Sequence, residues 1–240
     1  IVQYDNFSNY LNQATDLNKK YILPNLSGQV RYKIDRSKAL TTRYNYSVSL
    51  PSSNQLLPVV NLSNPLNTIT GNPDLKPNEK HSANTNYRNF DFRTRSGYNI
   101  YANADFYASE IITSSIYDVD RKRKTTYENI SGTYSISGGG SWNKSIKQES
   151  NLLRYGISLN GNFSTSKGFT DGILFDAVST GLSPRIYMNY DYGEFFTVAP
   201  SYNFSYNETQ YENYLTNSSS NYVHRFNIQT TSYWPKNWTW

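Results

Sequence analysis

The chain has 240 residues, no Cys, 23 Tyr, a net charge of +5 and an isoelectric point near 9.1. The missing Cys excludes a disulfide framework and a thiolate metal site, and the scattered Lys and Arg lack the one-sided basic face of a nucleic-acid binder. No apolar run approaches the ~18 residues of a membrane-spanning helix, and mean hydropathy is low, at −0.71. At this length one all-β domain fits as well as two smaller units. The sequence opens on Ile1 without a signal-peptide pattern and closes on Asn237-Trp238-Thr239-Trp240, which reads as the start of a strand. The expectation is therefore a piece of a longer protein, with residues 1–240 forming one unit.

Strict alternation dominates the chain, which puts apolar and polar side chains on opposite faces of strands. In Leu40–Leu50, Tyr44, Tyr46 and Val48 oppose Thr41, Arg43, Asn45 and Ser47. In Tyr98–Ser109, Tyr98, Ile100, Ala102, Ala104 and Phe106 oppose Asn99, Tyr101, Asn103, Asp105 and Tyr107. A weaker row joins Ile130, Gly132, Tyr134, Ile136 and Trp142. Leu153–Ser164 is the cleanest, with Leu153, Tyr155, Ile157, Leu159 and Phe163 on one side and Arg154, Ser158, Asn160 and Asn162 on the other. Further rows run through Ile186, Met188 and Tyr190, through Val198, Tyr202 and Phe204, and through Phe226 and Ile228. Pro200 removes a ladder donor and predicts a bulge or a break.

The connections alternate in length. Asp35–Ser37, Asp91–Ser96, Lys147–Asn151, Gly193-Glu194 and Pro235–Asn237 are short; Pro51–Lys80, Asp118–Thr125, Lys167–Gly181 and Glu212–Asn221 are longer and polar. Soluble sandwiches have strands averaging 5–6 residues, whereas these run to about 11 and carry Tyr-rich apolar rows. Membrane barrel strands need ~9–11 residues, face lipid with apolar side chains, and join through short inner turns and long outer loops. Interface aromatics are expected near the short turns: Phe90 and Phe92, Tyr190 and Tyr192, Phe195 and Phe196, and Tyr233, Trp234, Trp238 and Trp240. The fold class expected is all-β, an antiparallel transmembrane β-barrel.

One long outer loop contains Gly71-Asn72-Pro73-Asp74-Leu75-Lys76-Pro77, followed by Asn78 and Glu79. Together with Tyr21–Asp35 (YILPNLSGQVRYKID), Leu40–Leu50 and Asn64–Asn84, this resembles the barrel region of TonB-dependent receptors, in the group from Bacteroidetes-type bacteria called the outer-membrane β-barrel family. That group carries Gly-Asn-Pro-x-Leu-Lys-Pro-Glu in an extracellular loop; here Asn78 intervenes before the acid. The resemblance covers the chain from about Tyr21 and is pattern-level after Asp118. It implies about ten strands of a larger, about 22-stranded barrel, with a plug domain of the same chain inside it and energy supplied through TonB. The plug, the N-terminal box for TonB and a carboxypeptidase-regulatory-like domain are not seen in this stretch.

The lumen-facing residues Arg43, Tyr101, Asp105, Arg154, Asn160 and Arg185 are expected to contact the plug or line a substrate path. The basic run Arg121-Lys122-Arg123-Lys124 is placed on the outer side, either contacting lipopolysaccharide phosphates or simply solvated. His81 and His224 lack partners at metal spacing and are expected to face the lumen or a loop. Asp118 and Asp120 read as solvated loop acids, and Gly138-Gly139-Gly140 lacks the Lys-Ser/Thr of a phosphate loop. Asn-x-Ser/Thr triplets at Asn61, Asn129, Asn162, Asn203, Asn207, Asn217 and Asn237 follow from an Asn- and Ser-rich composition. No catalytic, metal or cofactor site is expected.

The resemblance implies a receptor or transporter in the outer membrane of a Gram-negative bacterium, taking up a scarce glycan, peptide or metal chelate. Its partners would be outer-membrane lipid and lipopolysaccharide, the TonB complex and a surface lipoprotein. A non-transporting barrel subunit of an outer-membrane assembly, or a complete small porin-like barrel, are the alternatives.

Overall fold

A computed structural model describes residues 2–10, 13–61, 64–234 and 238–239. The chain opens with a hairpin, β1 (Val2–Tyr10) and β2 (Gln13–Tyr21), paired with itself. Next come β3 (Leu26–Lys33), β4 (Lys38–Ser49), one helical turn α1 (Ser53–Leu56), β5 (Val60–Asn61) and β6 (Asn67–Thr70). They are followed by β7 (Asn78–Asp91), β8 (Ser96–Tyr117), β9 (Arg123–Ile130) and β10 (Thr133–Gln148). The remainder is β11 (Asn151–Thr170), β12 (Ile173–Tyr192), β13 (Phe196–Glu212), β14 (Ser218–Trp234) and β15 (Trp238–Thr239). Ten of these strands form one antiparallel path, β3-β4-β7-β8-β10-β11-β12-β13-β14-β15. The end strands β3 and β15 are not paired with each other, so among the described residues the sheet is open. No described helix is long and apolar enough to cross a membrane.

The ten-strand path agrees with the alternation. Three local readings are corrected. The stretch Lys167–Gly181 is not a loop: β11 and β12 run through it at 20 residues each and meet in a tight turn at Asp171-Gly172. Both turn residues have positive φ, 51° and 76°. Asp-Gly adopts this geometry readily, and its twist matches the flanking strands. The row expected through Ile130 and Gly132 is broken, because Gly132 sits between β9 and β10 at φ 78°. At Pro200 there is no bulge. β13 is continuous through it, Tyr187↔Ser201 and Tyr190↔Val198 keep one register, and the ladder to β12 lapses between them.

Strands of 20 to 22 residues are about twice what a membrane requires. Their upper halves therefore continue beyond the outer leaflet, where β9, β6 and β5 add to β8 as a small side sheet. Within the membrane the outward face is apolar: Ile157 and Ile186 oppose each other and are each 55% exposed. Aromatic side chains cap this band at both ends. Near the short turns lie Tyr98, Trp142, Tyr155, Tyr190, Tyr192 and Phe196. About ten residues above them lie Tyr46, Phe106, Tyr134, Phe163, Tyr206 and Tyr222. Phe90 departs from this pattern, since its alternation with the outward Tyr87 turns it inward over Gly97. The side chains of Tyr233, Trp234 and Trp238, the turn at 235–237 and Trp240 lie outside what is described.

Candidate functional site

The inward face is a wall of neutral polar side chains in register. One row crosses nine strands: Gln29, Arg43, Asn84, Asn103, Ser137, Asn162, Gly181, Asn207 and Asn221 are successive partners. Amides and hydroxyls both donate and accept, so neighbours satisfy one another. Asn84 donates to Asn103, whose own amide donates to Ser137 Oγ at 3.2 Å. In the adjacent row Asn86 donates to Asn99 Oδ1 at 2.9 Å.

The six candidate lumen residues all fall on this face and gather into local groups. Tyr101 donates its hydroxyl to Asn160 Oδ1 at 2.8 Å. Its ring lies over Gly139, where a Cβ would come within 3.0 Å of the ring and 2.6 Å of Asn160 Oδ1. Tyr187 covers Gly156 in the same way. Arg185 lies over the Tyr187 ring at 5.6 Å, so aromatic and cation stack as a unit. Arg154 pairs with Asp191 at 3.2 Å, and Asp105 takes a hydrogen bond from Ser82 (2.6 Å) and an ion pair from Lys80 (3.2 Å). Arg43 donates Nε–H to Gln29 at 2.7 Å. Arg43 and Asp105 also border one recess of about 360 Å³, floored by Asn84, Asn103 and Ser137.

Charge on the wall is one-sided. Arg31, Arg43, Arg88, Arg185 and Arg225 all occupy inward register positions, and among the described residues none has a carboxylate partner. The inward carboxylates Asp105 and Asp191 are already engaged by Lys80 and Arg154. Sequence reasoning picked Arg43, Arg154 and Arg185 but missed Arg31, Arg88 and Arg225. Strict alternation alone would have found them.

The motif Gly71–Pro77 is a clasp at the outer end. Asp74 N–H donates to Asn72 Oδ1 and Asn72 Nδ2 donates to the Tyr127 carbonyl. Lys76 and Asn129 exchange two hydrogen bonds, at 2.8 and 3.0 Å. Lys19 donates to the Pro73 carbonyl. Leu75 is 2% exposed and Leu56 of α1 is 0% exposed, so the clasp has its own small core. Gly71 packs on the Leu57 backbone so closely that a Cβ would lie 2.2 Å from its carbonyl oxygen. The two prolines thus stiffen a segment that docks the long loop onto the β8–β9 pair.

The two lysines of the basic run are neutralised within its loop. Lys122 pairs with Asp120 (3.4 Å) and Lys124 with Asp118 (3.7 Å), while Arg123 donates to Ser115 Oγ. The backbone N–H of Lys122 is the main cause holding the Asp118 carboxyl below its usual pKa, aided by Asp120 N–H and the nearby lysines. Arg121, at φ 60°, is the only member of the run without a side-chain partner among the described residues.

The two histidines are elsewhere than expected. Both sit on the outward face in the upper aromatic girdle, His81 opposite Tyr46 and His224 opposite Phe204.

Long antiparallel strands with a girdled apolar exterior and a polar interior define a protein of the outer-membrane β-barrel class. The match to known families is at the same level: the chain fits the model of the outer membrane protein beta-barrel family over residues 3–181 of 240. It belongs to that family and resides in the outer membrane. No curated protein and no solved structure matches it.

Proposed function

We propose that this chain is part of the barrel wall of a TonB-dependent receptor that takes up a scarce nutrient: a glycan, a peptide or a metal chelate. The observation that carries the reading is the inward wall, where a cross-sheet carpet of amides and hydroxyls is interrupted by five arginines that have no carboxylate partner among the described residues. Such a wall favours a polar, acid-bearing occupant in hydrogen-bonded contact, as a plug domain would be. Isolated cations beside a low-dielectric wall gain most from a partner that supplies the missing charge. The outer clasp supports the reading by holding the long loop in one conformation, as ligand capture at the outer mouth requires. No bond-making chemistry, metal or cofactor enters this proposal.

The test is growth of a strain lacking the gene on limiting glycan, peptide or iron chelate. Complementation is by the full-length gene, with TonB intact or inactivated. Uptake restored only when TonB is intact is the expected result. Uptake indifferent to TonB, or loss of an outer-membrane assembly with uptake unchanged, would overturn it.

A further inference from the structure

An apolar recess on the outward face differs in chemistry from the lipid-facing surface around it. Its floor is Ala83 and Ala104, which are direct partners on β7 and β8. Tyr44 on one side and Ile136 on the other form walls, Phe106 and Tyr134 close the top, and the space is about 310 Å³. Below it the floor continues as Thr85, Ala102 and Gly138, again in register, so the recess opens downward along the membrane normal. At the rim, His81 Nδ1 lies 2.7 Å from the Tyr44 hydroxyl. An imidazole carries at least one N–H and a phenol one O–H, and their mutual bond uses one of these protons. Whichever tautomer is present, the pair keeps one donor for an acceptor outside the protein. His81 is ten residues above the end of β7 at Asp91. At ~3.3 Å per residue and a tilt of ~40° this is the upper edge of a ~25 Å apolar band.

We propose that this recess is a binding site for lipopolysaccharide of the outer leaflet. One acyl chain lies over Ala83 and Ala104, and a headgroup phosphate oxygen accepts from the His81–Tyr44 pair. The occupant follows from continuity with the membrane, which covers this face, and from the recess being apolar below and donor-bearing at headgroup height. Arg121–Lys124, whose two lysines are paired with Asp120 and Asp118 inside the loop, is not required. The molecule contains its own control. His224 makes the same contact with the Tyr202 hydroxyl, at 2.8 Å and also ten residues above its strand end at Trp234. There, however, Phe204 and Phe226 fill the positions beside the pair, and Ile228 lies below. The site rests on the outer-membrane location and is independent of transport.

The experiment is native mass spectrometry of the full-length protein purified in mild detergent, counting lipopolysaccharide molecules retained. Ala104→Leu with Ala83→Val fills the recess with apolar volume and should cut retention about five-fold, because binding scales with buried apolar area. His81→Phe keeps the ring and removes the donor, giving a smaller loss, whereas His224→Phe leaves retention unchanged. Heat-dependent gel mobility confirms that each barrel is folded, and Ala104→Val alone serves if the double variant is not. Equal retention by wild type and filled variants, equal displacement by phosphatidylglycerol, or a protein dimer that the filling abolishes would each overturn the proposal. Loss of lipid with nutrient uptake intact separates this site from the transport reading.

Discussion

The outer clasp and the membrane wall are built by the same chain in two solvents. In the clasp, Leu56 and Leu75 are buried against protein as in a water-soluble domain. In the wall, Ile157 and Ile186 are more than half exposed, and lipid supplies what a core would. The wall is held by its hydrogen-bonded ladder, each neighbouring pair along the path β7-β8-β10-β11-β12-β13-β14 matching over a dozen or more residues, which is what a span without water demands. Apolar burial therefore stabilises one region locally, while backbone pairing stabilises the other collectively.

The comparison breaks most readily at the clasp. Leu75→Ala leaves a cavity in a core of very few side chains, and should cost about 2–5 kcal/mol of local stability. Hydrogen exchange and proteolysis of residues 51–78 should rise while the barrel still folds; global unfolding would show that the two regions are one cooperative unit. Next in size is Ile186→Arg, which places a cation about midway up the lipid face and should cost about 2–4 kcal/mol, measured by urea titration of the full-length protein in vesicles. Its sequence neighbour Arg185 faces the other way, so Arg185→Leu should leave the same titration nearly unchanged. Equal effects at 185 and 186 would contradict the two-face assignment.

The smallest effect belongs to an inner turn. Asp35 accepts hydrogen bonds from Ser37 Oγ, Ser37 N–H and Lys38 N–H, at 2.7 to 2.8 Å. The Ser37 contacts are the leading cause that lowers its pKa from 3.8 to about 2. A depressed carboxylate stabilises the turn above its unfolded pKa, and the benefit fades as pH falls from about 4 towards 2. Amide protection at Ser37 and Lys38 should drop across that window in the wild type and be low and pH-independent in Asp35→Asn. Protection that persists at pH 2 would refute the role of the carboxylate.

The periodicity of two in Leu153–Ser164 and its counterparts was enough to mark seven of the ten wall strands, their two faces and the inward placement of Arg43, Tyr101, Asp105, Arg154, Asn160 and Arg185. That is so because a pleated strand leaves a side chain only two directions, and the solvents on the two sides differ. The expected loop at Lys167–Gly181 failed because polar composition there reflects strands rising into water, and only the Asp171-Gly172 pair carried the turn. Which Asn meets which across nine strands, the cover of Tyr101 and Tyr187 over Gly139 and Gly156, and the apolar recess beside His81 depend on inter-strand register. Register is fixed by pairing between segments distant in the chain, so only the tertiary structure decided it. Composition and alternation determined that this protein is a membrane barrel; the folded sheet decided which side chains act together.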